Sequence, residues 1–173
     1  MNLSRKCRTP LGAVACGVAA GVIGTATMTA WQTAAAKLFS SGSDQDSGDE
    51  GLRDPWKDAP APAQVAQRVL DGVFHRPAPP QRIPLITNVM HWSYGSAWGI
   101  AYGLVAGTTG RSRPRDGLIF GAAVWSASYL QLVPMGIYEP PWKYKPQELA
   151  LDLSYHLAYG IGVSTGYKLL DRL

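Results

Sequence analysis

The chain has 173 residues, of which 46% are apolar and only 16% are charged, with a net charge of +4. An ordinary soluble domain carries about 25% charged residues. Three stretches, Leu11–Ala36, Ile83–Gly110 and Gly117–Tyr138, contain no Asp, Glu, Lys or Arg. Each is long enough to cross the roughly 30 Å hydrocarbon core of a bilayer. The mean hydropathy of −0.05 averages these stretches with a polar segment. The composition therefore argues against an ordinary soluble domain.

In chain order, the sequence predicts four membrane-spanning helices in a single membrane domain, residues 1–173. The spans cover about 11–36, 84–109, 117–138 and 148–170, and a polar loop over 40–82 separates the first two. The predicted fold is all-α: an integral membrane four-helix bundle with a long polar loop and a short amphipathic helix between spans one and two. Pro134 and Gly136 are expected to kink or end span three.

The first span follows a basic N-terminal segment, as a signal peptide would. Its apolar run, Leu11–Ala36, is longer than the roughly 7–15 residues of a cleaved signal, so we expect an uncleaved helix. Cys7 and Cys16 would lie about 13 Å apart along a helix. A disulfide needs Cα atoms within about 7 Å, so we expect no bridge between them.

The long connection has two parts. Ser40–Gly51 is rich in Ser, Gly and Asp and is typical of a solvated loop. From Pro62 a short helical pattern begins, in which Val65, Val69 and Val73 fall on one face. This helix either lies on the bilayer surface or caps the ends of the spans.

Basic residues near the span ends predict the orientation. With four spans, the N-terminus, the loop between spans two and three and the C-terminus share one side. That side holds more of these residues: Arg5, Lys6, Arg8, Arg111, Arg113, Arg115, Lys168 and Arg172, against Lys37, Arg76, Arg82, Lys143 and Lys145. We expect a bacterial inner-membrane protein with both termini in the cytoplasm.

Glycines recur every four residues in span two, as Gly95, Gly99, Gly103 and Gly107. We call these four residues the glycine stripe. The same spacing occurs in the other spans, at Gly17 and Gly21, Gly117 and Gly121, and Gly162 and Gly166. Such faces allow membrane helices to approach closely. The stripe packs the spans of one chain together, or it joins two copies of the chain.

Ionisable residues inside spans are functional candidates by default. His91 precedes the stripe by one turn, and Asp152 and His156 are one turn apart in span four, where they can share a hydrogen bond. Glu139 lies in a Pro-rich turn that faces the same side of the membrane. We therefore expect a polar intramembrane site formed by His91, Glu139, Asp152 and His156. The interpretations are a hydrogen bond joining spans two and four, a proton relay, a paired-histidine haem site, or a metal site with Asp152.

Four aromatic residues are interpreted as packing and membrane-interface residues: Trp92, Trp98, Trp125 and Tyr129. The basic cluster around Arg113 suits anionic lipid rather than nucleic acid, because no base-reading groups accompany it. The sequence contains no P-loop, Ser-His-Asp signature or HExxH motif, and it implies no metal or cofactor.

Short motifs in spans two to four resemble a known family. They are Asn88-Val-Met-His91-Trp92, Ala101-Tyr102-Gly103, Met135-Gly136 with Pro140-Pro141-Trp142, and Glu148 followed by His156-Leu157. Together they resemble the YagU-like family of bacterial inner-membrane proteins. The resemblance implies a location and a topology, and it supplies no catalytic residues.

Three classes of function follow from these residues. The first is an accessory or structural membrane protein that packs through its glycine faces and contacts lipid, a second copy of the chain or another membrane protein. The second is a small proton, ion or solute transporter that uses Asp152 and His156. The third is a membrane haem or metal enzyme that uses His91 and His156. The sequence favours the first, because it has glycine faces and no clear catalytic set.

Overall fold

The computed structural model describes residue 7 and residues 9–39, 54–75, 78–110 and 113–172. Within these residues the protein is helical and contains no strand, which confirms the all-α prediction. The helices are α1 (Pro10–Phe39), α2 (Ala61–Val69), α3 (Ile83–Thr109), α4 (Pro114–Leu132) and α5 (Pro146–Leu170). Several predictions fall outside the described residues: the solvated loop Ser40–Gly51 and the basic residues Arg5, Lys6, Arg8, Arg76 and Arg111.

The helix of span three ends at Leu132, whereas the sequence predicted a span to Tyr138. Pro134 follows closely, and a proline has no N–H to continue the helical bonds. Gly136 adopts a left-handed φ of 63°, and its N–H donates to the Val133 carbonyl at 2.9 Å. The Ile137 N–H donates to the Leu132 carbonyl at 3.0 Å. The chain therefore leaves α4 in a capped turn.

The four long helices alternate in direction and pack side by side. Helix α1 packs along both α3 and α5, and α5 also packs along α4. The Tyr167 hydroxyl near the end of α5 donates to the Cys7 carbonyl, just before α1, at 3.0 Å. The start of α1 and the end of α5 therefore lie at the same end of the bundle.

Glycine backbones form the closest contacts between these helices. A Cβ added at Gly17 or Gly21 in α1 would lie 2.6 Å from a carbonyl oxygen of α3, that of Gly99 or Gly95. In the α4–α5 contact, a Cβ at Gly121 would lie against the His156 carbonyl. A Cβ at Gly162 in α5 would lie 2.9 Å from the Gly24 Cα in α1. These helices touch main chain to main chain.

The glycine stripe of α3 is covered within the chain. Gly99 faces Gly17 and Gly21, Gly103 faces Ala13 and Gly17, and Gly107 faces Ala13 and Cys7. Gly95 faces the side chain of Thr25. The stripe therefore packs one chain, and it offers no free face for a second copy. A homo-oligomer through another surface stays a prediction.

Side-chain size is distributed in an unusual way between interior and surface. Among the described residues, the buried apolar side chains are Cys, Ala, Val, Trp and Tyr, with no Leu, Ile, Phe or Met among them. Large aliphatic side chains point outward instead: Leu11 is 80% exposed, Leu130 77% and Ile119 71%. Soluble proteins bury Ile, Leu and Phe preferentially. The bundle reverses that arrangement.

The prediction that Cys7 and Cys16 do not pair is wrong. The structure joins them in a disulfide with Cα atoms 5.9 Å apart. The prediction assumed a continuous helix, but α1 begins at Pro10. The Thr9 hydroxyl accepts a hydrogen bond from the Gly12 N–H at 3.1 Å and caps the helix. Cys7 precedes this cap, so the helical rise does not separate it from Cys16.

The helix predicted from Pro62 is α2. Its first turns are packed against the bundle, whereas the segment that follows it is exposed. Ala63 and Ala66 are buried, and Ala63 packs with Trp56 near Ile83 at the start of α3. The chain continues into a short π-helix, Leu70–Phe74. There Val73 is 66% exposed and Phe74 62% exposed. The beginning of α2 thus caps the bundle, while the segment after it presents apolar side chains outward.

By length and composition, one helix in the described part of the chain is apolar enough to cross a membrane. It is α1, which lies near the N-terminus and has a mean hydropathy of 1.7 in its most apolar window. The core helix of a soluble protein or a signal sequence passes the same test.

Candidate functional site

Three of the four predicted site residues meet at one cavity of about 240 Å³. His91 comes from the first half of α3, and Asp152 and His156 come from the first half of α5. Both helices start at the same end of the bundle, because each runs antiparallel to α1. Residues from α1, α2, α4 and the turn after α4 complete the wall.

Glu139 does not line this cavity. Its carboxylate accepts a hydrogen bond from Lys143 Nζ at 3.2 Å, and its side chain is 61% exposed. Its backbone N–H donates to the Tyr144 hydroxyl at 3.1 Å. The predicted four-residue site is therefore reduced to His91, Asp152 and His156, and Glu139 belongs to the surface turn between α4 and α5.

Two aromatic side chains of α4 hold the Asp152 carboxylate. The Trp125 indole N–H donates to Oδ2 at 2.9 Å, and the Tyr129 hydroxyl lies 3.4 Å from the same oxygen. The two rings pack edge to face, with centroids 5.2 Å apart. The other carboxylate oxygen, Oδ1, lies 3.7 Å from His156 Nδ1. This distance is too long for a hydrogen bond, so the predicted bond between the two side chains is wrong.

His156 bonds to the main chain of Asp152 instead. Its Nδ1 lies 2.9 Å from the Asp152 carbonyl oxygen. A carbonyl oxygen can only accept, so Nδ1 carries the proton and a neutral ring has its lone pair on Nε2. The His156 side chain is 12% exposed. His91 makes no hydrogen bond to the described part of the chain, and it faces the same cavity.

Four of the five hydroxyl groups along the wall donate their protons to the protein, and the fifth belongs to Tyr138. Thr25 donates to the Gly21 carbonyl at 2.9 Å and Ser128 to the Val124 carbonyl at 3.0 Å. Tyr159 donates to the Gly95 carbonyl at 2.6 Å, and Tyr94 donates to Gln131 Oε1 at 3.2 Å. These four hydroxyl groups therefore keep only lone pairs for any molecule in the cavity.

Sequence reasoning missed three aromatic residues that shape the site. Trp98 lines the cavity, and Trp125 and Tyr129 bind Asp152, although all three were interpreted as packing and interface residues. The sequence does contain one signal for the contact of Trp125 and Tyr129 with Asp152. Trp125 and Tyr129 are one turn apart near the end of α4, and Asp152 lies near the start of the next antiparallel helix. Adjacent antiparallel helices bring such positions together.

Within the described residues, no group of three or more His, Cys, Asp or Glu side chains is placed to hold a metal ion. Comparison of the chain with protein-family models, with curated proteins and with solved structures finds no match. The resemblance to the YagU-like family therefore stays a prediction.

Proposed function

We propose that this chain is a multi-pass bacterial inner-membrane protein in which α1, α3, α4 and α5 cross the bilayer, with both termini in the cytoplasm. The observation that carries the proposal is the reversed distribution of side-chain size. Apart from aromatic rings, the buried apolar side chains of the described residues are no larger than Val, and large aliphatic side chains point outward. Lipid tails are as apolar as Leu, so membrane helices associate through close packing of small residues and expose their aliphatic side chains to lipid.

The packing of α1 extends the proposal from one helix to four. Gly17, Gly21 and Gly24 lie in the first half of α1, and they touch the backbone of α3 or the side chains and backbone of α5. A bilayer around this part of α1 therefore surrounds α3 and α5 at the same depth. Helix α4 is joined to α5 in the same way through Gly117 and Gly121.

The lower hydropathy of α3, α4 and α5 has a physical reason. Hydropathy averages all faces of a helix, and the inward faces here carry Gly, Ser and Tyr, which are less hydrophobic than Leu or Ile. Tyr102, Tyr159 and Tyr167 are buried in the bundle. Their outward faces include aliphatic residues that are more than half exposed, among them Leu85, Val105 and Leu169.

The first function that we propose for such a bundle is an accessory or structural one. Main-chain contacts hold the helices together, and the exposed aliphatic side chains of the outer surface face lipid or a partner membrane protein. A second copy of the chain can use the same outer face, although not the glycine stripe.

The cavity supports a second candidate function, a small transporter of protons, ions or a solute. Asp152 and two histidines lie between helices that we place in the membrane. Ionisable groups in such positions mark ion and substrate pathways.

Reporter fusions test the topology. A reporter near Ser47 and one near Trp142 are expected on the periplasmic side, and reporters near Arg113 and after Leu173 on the cytoplasmic side. If the reporters at Ser47, Arg113 and Trp142 all lie on one side, α1 alone spans the membrane and the four-span proposal is wrong.

A further inference from the structure

We propose that the cavity binds a small protonated amine with an apolar or aromatic tail. The inference deepens the second candidate function, a cavity that handles a solute, and it rests on that function for its biological meaning. Its structural basis is the chemistry of the cavity wall, which is independent of how many helices cross the membrane.

The charge of the wall favours a cation. Of the described residues that line the cavity, Asp152 is the only Asp or Glu, and none is Lys or Arg. With neutral imidazoles the wall carries one negative charge. An anionic ligand would therefore meet a carboxylate with no compensating cation, which is unfavourable in a site partly shielded from water.

The groups of the wall whose own hydrogen bonds are defined present acceptors and favour a ligand that donates hydrogen bonds. Gln32, Gln131 and Tyr138 also line the cavity and can both donate and accept. Asp152 Oδ2 is occupied by Trp125 and Tyr129, whereas Oδ1 has no hydrogen-bond donor within reach in the described part of the chain. His156 presents the lone pair of Nε2, because Nδ1 donates to a carbonyl. The hydroxyls of Thr25, Tyr94, Ser128 and Tyr159 also present lone pairs only. An ammonium group carries three N–H donors and matches this set.

The remaining wall suits the rest of such a molecule. Tyr94, Trp98, Tyr138 and Tyr159 provide aromatic surface, and aromatic faces attract cations and pack against apolar tails. Met28, Met90 and Met135 add flexible apolar surface. The volume of about 240 Å³ is below the roughly 300–1,000 Å³ of pockets for drug-sized ligands, so the ligand is small.

The test compares two molecules that differ in one group. Phenethylamine carries an ammonium group at neutral pH, and phenethyl alcohol has a hydroxyl in its place. Binding of each to the purified full-length protein in detergent is measured by calorimetry, with phenylacetate as the anionic counterpart. We expect saturable binding of the amine, weaker binding of the alcohol, and no binding of phenylacetate. Equal affinity for amine and alcohol would mean that only the apolar tail is recognised and would overturn the proposal, as would no binding of the amine.

A substitution then assigns the selectivity to Asp152. D152N keeps the shape and the acceptor oxygen but removes the charge, so we expect amine affinity to fall at least about tenfold, with alcohol affinity little changed. E139Q, which removes an exposed carboxylate outside the cavity, is the matched control and is expected to bind like the wild type. If D152N weakens both ligands equally, or neither, Asp152 does not recognise the ammonium group and the proposal is wrong.

The result of the amine-binding experiment is independent of the result of the topology experiment. Reporter fusions decide how many helices cross the bilayer, whatever the cavity binds. Flux of the amine or of protons into liposomes decides whether the protein transports. Binding without flux would remove the transporter function and leave the amine site in place.

Discussion

Asp152 is held in place by the side chains of a neighbouring helix. Trp125 donates to Oδ2 at 2.9 Å, and the Tyr129 hydroxyl lies at 3.4 Å. A carboxylate in a low-dielectric setting is costly unless it is hydrogen-bonded. The two aromatic donors therefore determine both the stability of the site and the direction in which Oδ1 points.

Trp125→Phe is expected to destabilise the protein by about 1–3 kcal/mol, since it removes the shorter hydrogen bond and leaves Oδ2 with the longer one. Tyr129→Phe is expected to have a smaller effect. Thermal unfolding in detergent measures both. Trp142→Phe is the control, because Trp142 is 83% exposed. Equal stability of Trp125→Phe and the control would show that the indole N–H does not hold the carboxylate.

Gly99→Ala is expected to destabilise the protein by about 1–3 kcal/mol, as overpacking typically does. Its Cβ would lie against the backbone of Gly17 and Gly21, which cannot move without separating α1 from α3. Gly72→Ala is the matched control, because a Cβ there meets no atom within 4 Å. The measurement is unfolding temperature together with the yield of monodisperse protein. If the two variants behave alike, the α1–α3 contact is looser than described.

These residues also show what sequence can predict. The positions of α1, α3 and α4 followed from charge-free stretches, and the glycine spacing indicated packing faces, because both are local patterns. The convergence of His91, Asp152 and His156 was a hypothesis that depended on antiparallel neighbours. The partners of Asp152 and the Cys7–Cys16 bridge were missed. The first depends on the rotation of α4 about its axis, and the second on where α1 begins.

Among the helices, α4 differs in how it ends. The turn after Leu132 places Met135 and Tyr138 in the cavity wall, and this turn depends on the left-handed conformation of Gly136. A longer helix would have carried these side chains away from Asp152. The break at Pro134 therefore contributes directly to the site.

Gly136→Ala is expected to lower stability by about 1–2 kcal/mol, because a residue with a Cβ is strained in the left-handed region. No atom lies within 4 Å of the added Cβ, so crowding plays no part. Gly136→Asn is expected to cost less, since Asn adopts this conformation more readily. Chemical unfolding in detergent compares the two variants. An alanine variant as stable as the wild type would show that the turn adopts another conformation.

For the molecule as a whole, close contact between the helices and the outward position of the large aliphatic side chains occur together. Glycine contacts bring α1 against α3 and α5, and within the described residues the space beside these contacts is filled by Ala, Val and Tyr rather than by Leu or Ile. Around the cavity, aromatic side chains such as Tyr94, Trp98 and Tyr159 lie between the helices. Trp98 of α3 lines the cavity and packs edge to face on Phe120 of α4, with ring centroids 6.2 Å apart.

The orientation of the whole bundle can be tested through Cys7 and Cys16. In the proposed topology the N-terminus faces the cytoplasm, where thiols are kept reduced. We therefore expect both cysteines to be free thiols in growing cells and to form the bridge when the protein is oxidised. Acid quenching followed by alkylation and mass measurement of the intact protein counts the thiols, and cells treated with a thiol oxidant provide the bridged control. A bridge already present in growing cells would place the N-terminus on the oxidising face. Since Tyr167 of α5 contacts Cys7 at the same end of the bundle, the C-terminus would then face the periplasm too, and the reporter after Leu173 would have to change sides with it.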